Sequence, residues 1–437
     1  MYVLNFELCA DLKSKSVDYQ IERHLISNNL SPLFQSAYCK GRSTEMVLNH
    51  LTYDQAVART EKHIFCAVML DLSSAFDTID HDILACRLSA RFGFTNSALA
   101  WITDYLTNRL QFVKINNCLS SSRPLNCGVP QGSVLGPRLF SLYISQVSDI
   151  ICSYELAHHI YADDICIYVS FSYHNSSASL SNFQQCIEHL KDWFNSNRLK
   201  LNQEKSEILV YKPKSCDLSL DALPLGDFST RNLTCVKYLG VLVDSDLTFD
   251  DHISHVCKSA FIFLRTVYRI RRYITESTAI LIVNSYIHSR IDYCNSILSL
   301  CTSRKIQRLQ RIQNCCARFV KRLPRREPTS SVVRELHWLP IQKRIFFKIC
   351  CLVHRCVYGD APFFLKNMLC IAPSVESSFV LRSHSALQLH QPVATSRSLQ
   401  KLFPFLGPKL WNSLPDACRK ETSFHKFKCL VKAKYLS

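Results

Sequence analysis

Two adjacent aspartates, Asp163 and Asp164, interrupt an otherwise apolar run in the stretch HHIYADDICIYV, residues 158–169. The β-branched and aromatic residues on both sides favour strands, whereas Asp favours tight turns. The pattern therefore predicts a strand, a turn at the aspartate pair and a returning strand. Neighbouring carboxylates repel each other unless a cation lies between them. The stretch alone leaves two interpretations open, a solvated hairpin turn and one half of a metal site.

A third aspartate, Asp71, supplies the partner that a metal site needs. It lies near the end of the apolar run IFCAVMLDL, residues 64–72, which is typical of a strand buried on both faces. A carboxylate in that position is costly to bury without a cation. If this strand lies beside the hairpin, the three carboxylates converge, and two divalent ions about 4 Å apart would suit in-line phosphoryl transfer. Carboxylate and water ligands favour Mg²⁺, with Mn²⁺ as the alternative ion.

The positive charge of the chain is concentrated in one block. The 437 residues include 52 Lys or Arg and 35 Asp or Glu, a net charge of +17, and residues 252–357 carry +16 of it. Such a block is typical of a surface that binds a polyanion, with a solubilising face as the alternative. An apolar stripe of helical spacing runs from Ile306 to Val320, which predicts a helix with a basic face. The arginines of that face are Arg304, Arg308, Arg311 and Arg318.

The order of elements predicts an α+β protein. Strand and helix patterns mix up to about residue 245, and helical patterns follow. No apolar run approaches the roughly 18–20 residues of a spanning helix, and the first residues lack the basic leader of a signal peptide. We therefore expect a soluble intracellular protein without a membrane partner, in the nucleus or the cytoplasm. The 22 cysteines form no C-x-x-C pair, so a zinc site is not expected.

Three motifs, LDLSSAFD (70–77), GVPQGSVLGP (128–137) and YADD (161–164), have the order and spacing found in reverse transcriptases. In these motifs the chain resembles the LINE-type, non-LTR retrotransposon enzymes. The stretches LHWLPIQKRIFFKICCLVHRCVYGDAP and LGPKLWNSLPDACR are similar to the C-terminal tails of LINE polyproteins, so the resemblance extends from about residue 22 to the end.

The resemblance implies a right-hand polymerase palm with truncated fingers, followed by a helical thumb-like module and a C-terminal extension. It places a fingers remnant in residues 1–60 and the palm in residues 61–250, with a reverse transcriptase domain of about residues 1–245. The basic thumb-like module would span residues 251–325, and an extension of unknown role would span residues 326–437.

The resemblance also implies an RNA-directed DNA polymerase that adds deoxynucleotides to a primer 3′-OH with two Mg²⁺ ions. Its partners would be an RNA template, a DNA primer and deoxynucleoside triphosphates, with no obligate protein partner. Catalytic roles are implied for Asp71, Asp163, Asp164 and Lys205, and metal ligation for the three aspartates and the Leu72 backbone carbonyl. Nucleotide binding is implied for Lys40, Arg42, Phe76, Gln131 and Gly132, and nucleic-acid binding for the four arginines named above.

Two of these roles have a stated physical reason and a plain structural alternative. The Phe76 ring would leave no room for a 2′-hydroxyl and so select deoxynucleotides; the alternative is a core aromatic. Lys205 would donate a proton to the departing pyrophosphate; the alternative is a surface lysine. The Gly-Pro turn before residue 137 could equally be an ordinary turn that leads into a helix.

Some features depart from the family pattern. Cys39 stands where the family usually has an arginine that contacts the triphosphate, and Arg138 stands where it usually has an apolar residue. We also expect the upstream fingers strands to be largely missing and no endonuclease domain ahead of the polymerase. We therefore expect weak or no activity and keep a second interpretation, a catalytically impaired retrotransposon-derived fragment that only binds nucleic acid. An RNA-copying viral polymerase fits less well, because Phe76 and YADD favour DNA synthesis.

Overall fold

The computed structural model describes residues 8–116, 118–130, 132–214, 216, 234–359, 361–369 and 387–436. Contacts within the chain divide it into two compact units. The first comprises residues 1–39, 66–208 and 214–231, and the second comprises residues 40–65, 209–213 and 232–437. The four-part division predicted from the sequence stays a prediction.

The elements follow one another along the described part of the chain. The helices are α1 (Leu8–Ser27), α2 (Thr44–Thr60), α3 (His81–Phe92), α4 (Asn96–Leu106), α5 (Gly136–Tyr143), α6 (Gln146–Ser153), α7 (Ser176–Ser196), α8 (Asp250–Tyr268), α9 (Glu276–Val283), α10 (Ser289–Asp292), α11 (Ser303–Lys321), α12 (Ser330–Glu335), α13 (Ile341–Tyr358), α14 (Phe363–Met368), α15 (Phe403–Asn412), α16 (Asp416–Arg419) and α17 (Phe424–Leu436). The strands are β1 (Ile64–Leu70), β2 (Leu72–Ser73), β3 (Leu110–Gln111), β4 (Lys114–Ile115), β5 (Cys118–Leu119), β6 (Arg123–Pro124), β7 (Ala157–Tyr161), β8 (Asp164–Phe171), β9 (Lys200–Leu201), β10 (Glu207–Tyr211), β11 (Cys235–Tyr238) and β12 (Val241–Asp244).

The main sheet has the strand order β10-β1-β8-β7. Every residue of β1 is buried, which confirms the strand predicted from its apolar run. Strands β7 and β8 pair antiparallel, which confirms the predicted hairpin. The turn itself lies one residue earlier than predicted, at Ala162 and Asp163, because Asp164 is already paired with Tyr161. Of the two inner strands, β1 is buried along its whole length, as expected for an apolar strand that is covered on both faces, whereas β8 is buried mainly over Ile165–Tyr168. Strands β1 and β8 are neighbours in this sheet. Asp71 directly follows β1, and Asp164, preceded by Asp163, begins β8.

Apolar residues from Leu180 to Phe194 follow one another at intervals of three and four and predict an amphipathic helix, which α7 confirms. Its buried side chains include Leu180, Phe183, Ile187, Leu190 and Phe194, which form one continuous face. This face packs against α6 and β8. The helix therefore supports the hairpin strand that begins with Asp164.

The apolar and β-branched residues of the stretch RLQFVKINN, residues 109–117, predict one strand, but its described residues form two short ones. β3 pairs with β6, and β4 pairs with β5. All residues of these four short strands are exposed. With no apolar face to bury, the segment has no packing energy to stabilise a longer ladder.

The second unit is largely helical, with α13 near its centre. Helix α13 packs against α11, α15, α17 and the 3₁₀ turn Asn295–Leu300. Its buried side chains include Ile345, Ile349 and Cys350. Helix α11, predicted from its apolar stripe, is confirmed and packs against α8.

Helix α2 belongs to this second unit although it lies early in the chain. The Glu45 carboxylate accepts the backbone N–H of Ser296 at 2.9 Å and pairs with Lys348 at 3.4 Å. The Asn49 amide donates to the Ser296 hydroxyl at 2.7 Å. Since Glu45 is buried, these partners offset the cost of removing its charge from water.

Among the residues that the structure describes, no helix combines the length and the apolar character that crossing a bilayer requires.

Candidate active site

The backbone of Asp71 is held in place by the loop before β10. The Asp71 N–H donates to the Ser206 hydroxyl at 3.3 Å, and the Asp71 carbonyl accepts the Asn202 N–H at 2.8 Å. Ser206 is fully buried, and its hydroxyl donates in turn to the Asn202 carbonyl at 2.8 Å. These bonds hold the backbone of Asp71, the residue directly after β1 from which the carboxylate projects.

The hairpin between β7 and β8 turns at Ala162 and Asp163, and Asp164 is the first residue of β8. Ala162 has φ 58°, a left-handed conformation that L residues other than Asn and Asp rarely adopt. The Gln35 side-chain oxygen accepts the Ala162 N–H at 3.0 Å and the Ala37 N–H at 2.9 Å. One buried amide thus ties the turn to residues 35–37 and stabilises the strained conformation.

The three aspartates interact electrostatically. Burial, together with the charges of Asp163 and Asp71, raises the pKa of Asp164 to about 6. Burial also raises the pKa of Asp163, again with a contribution from Asp71. Tyr38 lies close enough to Asp163 for that charge, together with burial, to raise the tyrosine pKa. The fold therefore gathers the three predicted carboxylates into one mutually repelling group.

This group does not form a metal-binding cluster by ligand geometry. In the described part of the chain, no three His, Cys, Asp or Glu side chains are arranged to hold a metal ion. Like charges at short range repel, and only a cation between carboxylates makes their full convergence favourable. The sequence-based expectation of a shared metal site stays a prediction, supported by the electrostatic coupling of the carboxylates.

Phe76 lies on the segment that follows β2, beside the turn that leads into α5. Its ring stacks on the fully buried ring of Phe140, with centroids 4.6 Å apart. The Phe76 carbonyl accepts the Val129 N–H at 2.8 Å. At Gly128 φ is 83°, and a Cβ would come within 2.8 Å of the Asp77 carbonyl oxygen, so only glycine fits this close approach. Phe76 and the Gly-Pro turn are thereby joined, while Gln131 lies outside the described residues.

Lys205 is exposed on the loop that holds Asp71. Its backbone N–H donates to the Asn202 side chain at 3.3 Å, and Asn202 is the residue whose N–H binds the Asp71 carbonyl. Asn202 therefore connects the backbone of Lys205 to the backbone of Asp71 through two hydrogen bonds. The direction of its side chain toward a triphosphate stays a prediction.

More than half of the chain, residues 9–243, matches the family described as reverse transcriptase (RNA-dependent DNA polymerase). The chain belongs to the reverse transcriptase family. It is 28% identical over 257 residues to the probable RNA-directed DNA polymerase from transposon BS of Drosophila melanogaster, a match that covers 56% of this chain and 26% of that one. It is 24% identical over 300 residues to the corresponding protein from the X-element of the same organism, covering 67% of this chain and 32% of the relative. The predicted LINE-type, non-LTR relationship is confirmed by these relatives.

The chain spans about a quarter to a third of the length of these curated relatives. Among solved structures, it is similar to a telomerase from Candida albicans determined with a fragment of telomeric RNA. That likeness has a TM-score of 0.40 at 12% identity and covers 77% of this chain and 56% of the telomerase chain.

At Cys39 and Arg138, the two positions where the sequence predicts a departure from the family pattern, the structure shows local partners. The Cys39 thiol donates to the Gln35 carbonyl at 3.5 Å. Arg138 forms a two-pronged pair with Asp18 of α1, with Nε–Oδ1 at 2.9 Å and Nη2–Oδ2 at 3.2 Å, and Glu22 lies 3.9 Å away. Burial lowers the pKa of Arg138, but these acids outweigh that effect and leave it raised. The charge of Arg138 is thus compensated within the chain.

The remaining predicted residues lie in different surroundings. Lys40 is exposed, and Lys40 and Arg42 both belong to the second unit, so their nucleotide contacts stay predictions. Gly132 has φ 81° in the turn before α5. Arg304 and Arg311 are exposed on α11, as expected for a basic face. Two arginines of that stripe are instead partly committed to the protein: Arg308 to Ser254 and Asp250, and Arg318 to the Glu327 carbonyl.

Sequence reasoning assigned no role to Gln35, the residue that supports the aspartate turn. No pattern marks it, because a single glutamine before a helix has no periodicity. Gln35 and its partner Ala162 are 127 positions apart in the chain, so no local pattern contains both.

Proposed function

We propose that this chain carries out RNA-templated DNA synthesis and that Asp71, Asp163 and Asp164 form its catalytic group. The observation that supports this most directly is the electrostatic coupling of three half-buried carboxylates, one directly after β1 and two at the tip of the hairpin of β7 and β8. A fold that stabilises repelling acids in one place is unusual unless a cation uses them. In a family of RNA-dependent DNA polymerases, that use is phosphoryl transfer to a primer 3′-OH.

The donor set suits Mg²⁺, or Mn²⁺ in its place. The three aspartates and the Leu72 backbone carbonyl would hold the ions, since hard oxygen ligands are the ones that these cations prefer. Burial and then the charges of neighbouring aspartates raise the pKa values of Asp163 and Asp164. These shifts fit the assignment because a bound cation would offset both effects. When bound, the ions would lower the pKa of the primer hydroxyl and stabilise charge on the phosphates.

Other residues would bind and position the nucleotide. Phe76, backed by Phe140, would present a rigid ring to the sugar and exclude a 2′-hydroxyl. Gln131 and Gly132 would line the nucleotide pocket, and Lys40 and Arg42 would neutralise the triphosphate. Lys205 would give a proton to the pyrophosphate as it leaves.

The larger layout is also part of this proposal. Residues 1–60 would form a reduced fingers region, residues 61–250 the palm and residues 251–325 a thumb-like module that contacts RNA and DNA through Arg304, Arg308, Arg311 and Arg318. Residues 326–437 would form an extension. Residues 252–357, which begin in this module and extend past it, carry a net charge of +16, and this supports the nucleic-acid role of the module.

Primer extension by the purified 437-residue chain on poly(rA)/oligo(dT) with Mg²⁺ tests this function. We expect weak extension that Asp163→Asn abolishes and that Asp104→Asn, a matched change at an exposed position of α4, leaves intact. Equal extension by the parent and Asp163→Asn would show that the catalytic group is misassigned.

A second candidate, a retrotransposon-derived protein that only binds nucleic acid, is favoured by the surroundings of Cys39. Cysteine cannot replace a directional arginine–phosphate contact, which is worth roughly 1.5–3 kcal/mol, or about ten- to a hundredfold in nucleotide use. Arg138 interacts electrostatically with Cys39 but is paired with Asp18. Tight binding of the primer–template without any extension would favour this candidate.

Cys39→Arg tests how far this position limits activity. The charge of Arg138 would repel the new guanidinium, and the carboxylates of Asp18 and Glu22 would attract it. Both effects would keep it from binding a triphosphate. We therefore expect less than a tenfold fall in the KM for deoxynucleotide, with Cys39→Ser as the control. A fall of tenfold or more would mean that the pocket is otherwise complete.

A further inference from the structure

A cavity of about 440 Å³ lies within the second unit. Its walls come from α11, α12, the start of α13 and the end of α17, and we call it the α12 cavity. This volume suits a small molecule, since pockets for such ligands typically enclose about 300–1,000 Å³. Of the described residues that we propose for the active site, none lines this cavity.

Hydrogen bonds between neighbouring elements hold the walls of the α12 cavity. The Gln310 side-chain oxygen accepts the backbone N–H of Ile341, the first residue of α13, at 2.9 Å. The Lys343 ammonium donates to the Tyr435 carbonyl near the end of α17. These bonds join α11 and α17 to the start of α13. The cavity is therefore formed before a ligand binds, as most small-molecule sites are.

The side-chain acceptors of the cavity wall are already engaged. The Gln310 oxygen accepts the Ile341 N–H, and the Asn314 side-chain oxygen accepts the Gln310 amide at 3.0 Å. The described residues that line the cavity include no Asp or Glu. A cation would therefore find no carboxylate here, and a ligand rich in donors would compete with bonds that hold the wall.

The donors of the wall, by contrast, are available. Among the described residues, the Arg334 guanidinium, the Trp338 indole N–H and the Asn314 side-chain N–H groups have no hydrogen-bond or ion-pair partner. Trp338 is only 5% exposed, yet its N–H is not sealed inside the protein. Polar groups of buried side chains are nearly always hydrogen-bonded, so an unpartnered donor on a cavity wall indicates a ligand.

The charge of the cavity wall has one sign. Arg334 and Lys343 both line the cavity. Glu335 follows Arg334 in the chain, but its carboxylate is paired with Lys321 at 2.6 Å. An ionised oxygen group only accepts hydrogen bonds, and its bonds to cationic donors are about twice as strong as neutral ones. An oxyanion is therefore the group that complements this wall.

We propose that the α12 cavity binds a small phosphate monoester with an apolar body. Arg334, Lys343 and Trp338 would donate to the phosphate, and Val333 and Leu436 would contact the apolar part. A phosphate is favoured over a carboxylate because it offers three strong acceptor oxygens to several donors. A small molecule is favoured over a nucleic-acid strand because the Trp338 donor belongs to an almost wholly buried residue, which backbone phosphates on a bulky strand do not reach.

This inference goes beyond the proposed function, because it requires neither catalysis nor a primer–template. Most of the cavity wall belongs to residues 326–437, the extension to which the sequence assigned no role. Asp163→Asn should therefore bind the phosphate monoester as the parent does.

Isothermal titration of the full chain in a buffer without divalent metal ions tests the proposal. The probes are naphthyl phosphate, naphthoate, naphthol and inorganic phosphate, which separate the contributions of the phosphate and the apolar body. We expect one site for naphthyl phosphate, with an affinity about tenfold or more above that of each other probe. Naphthyl phosphate should also raise the midpoint of thermal unfolding, because it binds only the folded chain.

Two variants locate the site. Arg334→Gln should weaken the binding of naphthyl phosphate about tenfold or more, since it removes a charged hydrogen bond. Trp338→Phe keeps an aromatic ring and removes the N–H, and we expect a loss of about threefold to tenfold. The control is Arg397→Gln, which removes the same charge from an exposed position of the same unit and should stay within about twofold of the parent.

An equal loss of affinity in Arg334→Gln and Arg397→Gln would overturn the proposal, because only net charge would matter. Binding of naphthol or naphthoate as tight as that of naphthyl phosphate would overturn the choice of a phosphate. Displacement of naphthyl phosphate by an oligouridylate of equal phosphate content would assign the cavity to a nucleic-acid strand instead. Arg334 is exposed, so Arg334→Gln decides the matter if Trp338→Phe unfolds.

Discussion

Burial and repulsion together set the charge state of the aspartate group. A carboxyl whose folded pKa is raised binds its proton more tightly in the native state than in the unfolded chain. Its charge therefore destabilises the fold at neutral pH unless a cation is present. Asp164, with a pKa of about 6, is the member for which this effect is largest.

Asp164→Asn should raise the free energy of unfolding at pH 7 in a metal-free buffer. The folded pKa of about 6 lies above the ordinary value of 3.8, so stability falls as pH rises through the window between them. After allowance for solvent screening, we expect a gain of about 1–2 kcal/mol at pH 7 and none at pH 4. Urea unfolding at both pH values measures this, with Asp104→Asn as the control. A gain that persists unchanged at pH 4 would not come from the titration of this carboxyl.

Phe76→Val should relax sugar discrimination if the ring acts as the proposed gate. Loss of a clash with the 2′-hydroxyl should lower the ratio of deoxynucleotide to ribonucleotide efficiency by roughly 10–100-fold. Loss of stacking on Phe140 should also cost about 1–2 kcal/mol of stability. Phe140→Leu, which perturbs the same stack from its buried side, should change stability but leave the ratio alone. An unchanged ratio in Phe76→Val would make Phe76 a core aromatic only.

At the scale of elements, the hairpin of β7 and β8 depends on a residue outside it. The turn contains Ala162 in a left-handed conformation, and Gln35 accepts its N–H. Residues 34–36 also bond the hairpin through Ile160, whose N–H donates to the Phe34 carbonyl at 3.2 Å and whose carbonyl accepts the Ser36 N–H at 2.9 Å. The segment before α2 is therefore a structural support for the aspartates.

Gln35→Ala should destabilise the hairpin because it leaves the buried N–H groups of Ala162 and Ala37 without their acceptor. Each such loss costs about 1–3 kcal/mol. Ser36→Ala is the matched control, because the Ser36 hydroxyl is buried and bonds no other described group. Hydrogen exchange at β7 and β8 should speed up in Gln35→Ala and stay at the parent rate in Ser36→Ala. Equal exchange in both variants would mean that Gln35 does not hold the turn.

At the scale of the whole molecule, the order of the chain and the compact units do not coincide. Residues 40–65 belong to the second unit, whose remaining residues are 209–213 and 232–437. Helix α2 supplies Glu45 and Asn49 to that unit, where their partners include Ser296 and Lys348. A cut between the predicted palm and thumb therefore removes partners from a helix that precedes the palm.

Truncation after residue 250 should unfold α2 as well as weaken nucleic-acid binding. Glu45 would lose both partners, and a buried unpaired charge costs about 3–5 kcal/mol. We expect rapid proteolysis within residues 44–60 in the truncated chain and protection in the parent, read by mass spectrometry. Glu45→Gln/Lys348→Met in the full chain removes the same ion pair and should leave α2 protected. Protection of α2 in the truncated chain would contradict the contacts described here.

The sequence by itself determined the local elements and the family. A continuous apolar run predicts strand β1, apolar residues around a turn predict the hairpin, and apolar residues three and four apart predict helices α7 and α11. Each of these patterns involves only residues that are close together in the chain. The motifs that contain Asp71, Phe76 and the Asp163–Asp164 pair indicated a reverse transcriptase because each motif is a contiguous stretch of sequence.

Only the tertiary structure decided which distant groups become partners. Three interactions join residues more than 100 positions apart in the chain. They are the hydrogen bond from the Ala162 N–H to Gln35, the ion pair of Arg138 with Asp18, and the hydrogen bond from the Ser296 N–H to Glu45. The use of Arg271 for folding, while Arg265 and Arg269 stay exposed, likewise depends on the approach of α11 to α8. Periodicity reports which side of an element is buried, but the identity of the group that meets it is set by packing between elements, which no local pattern contains.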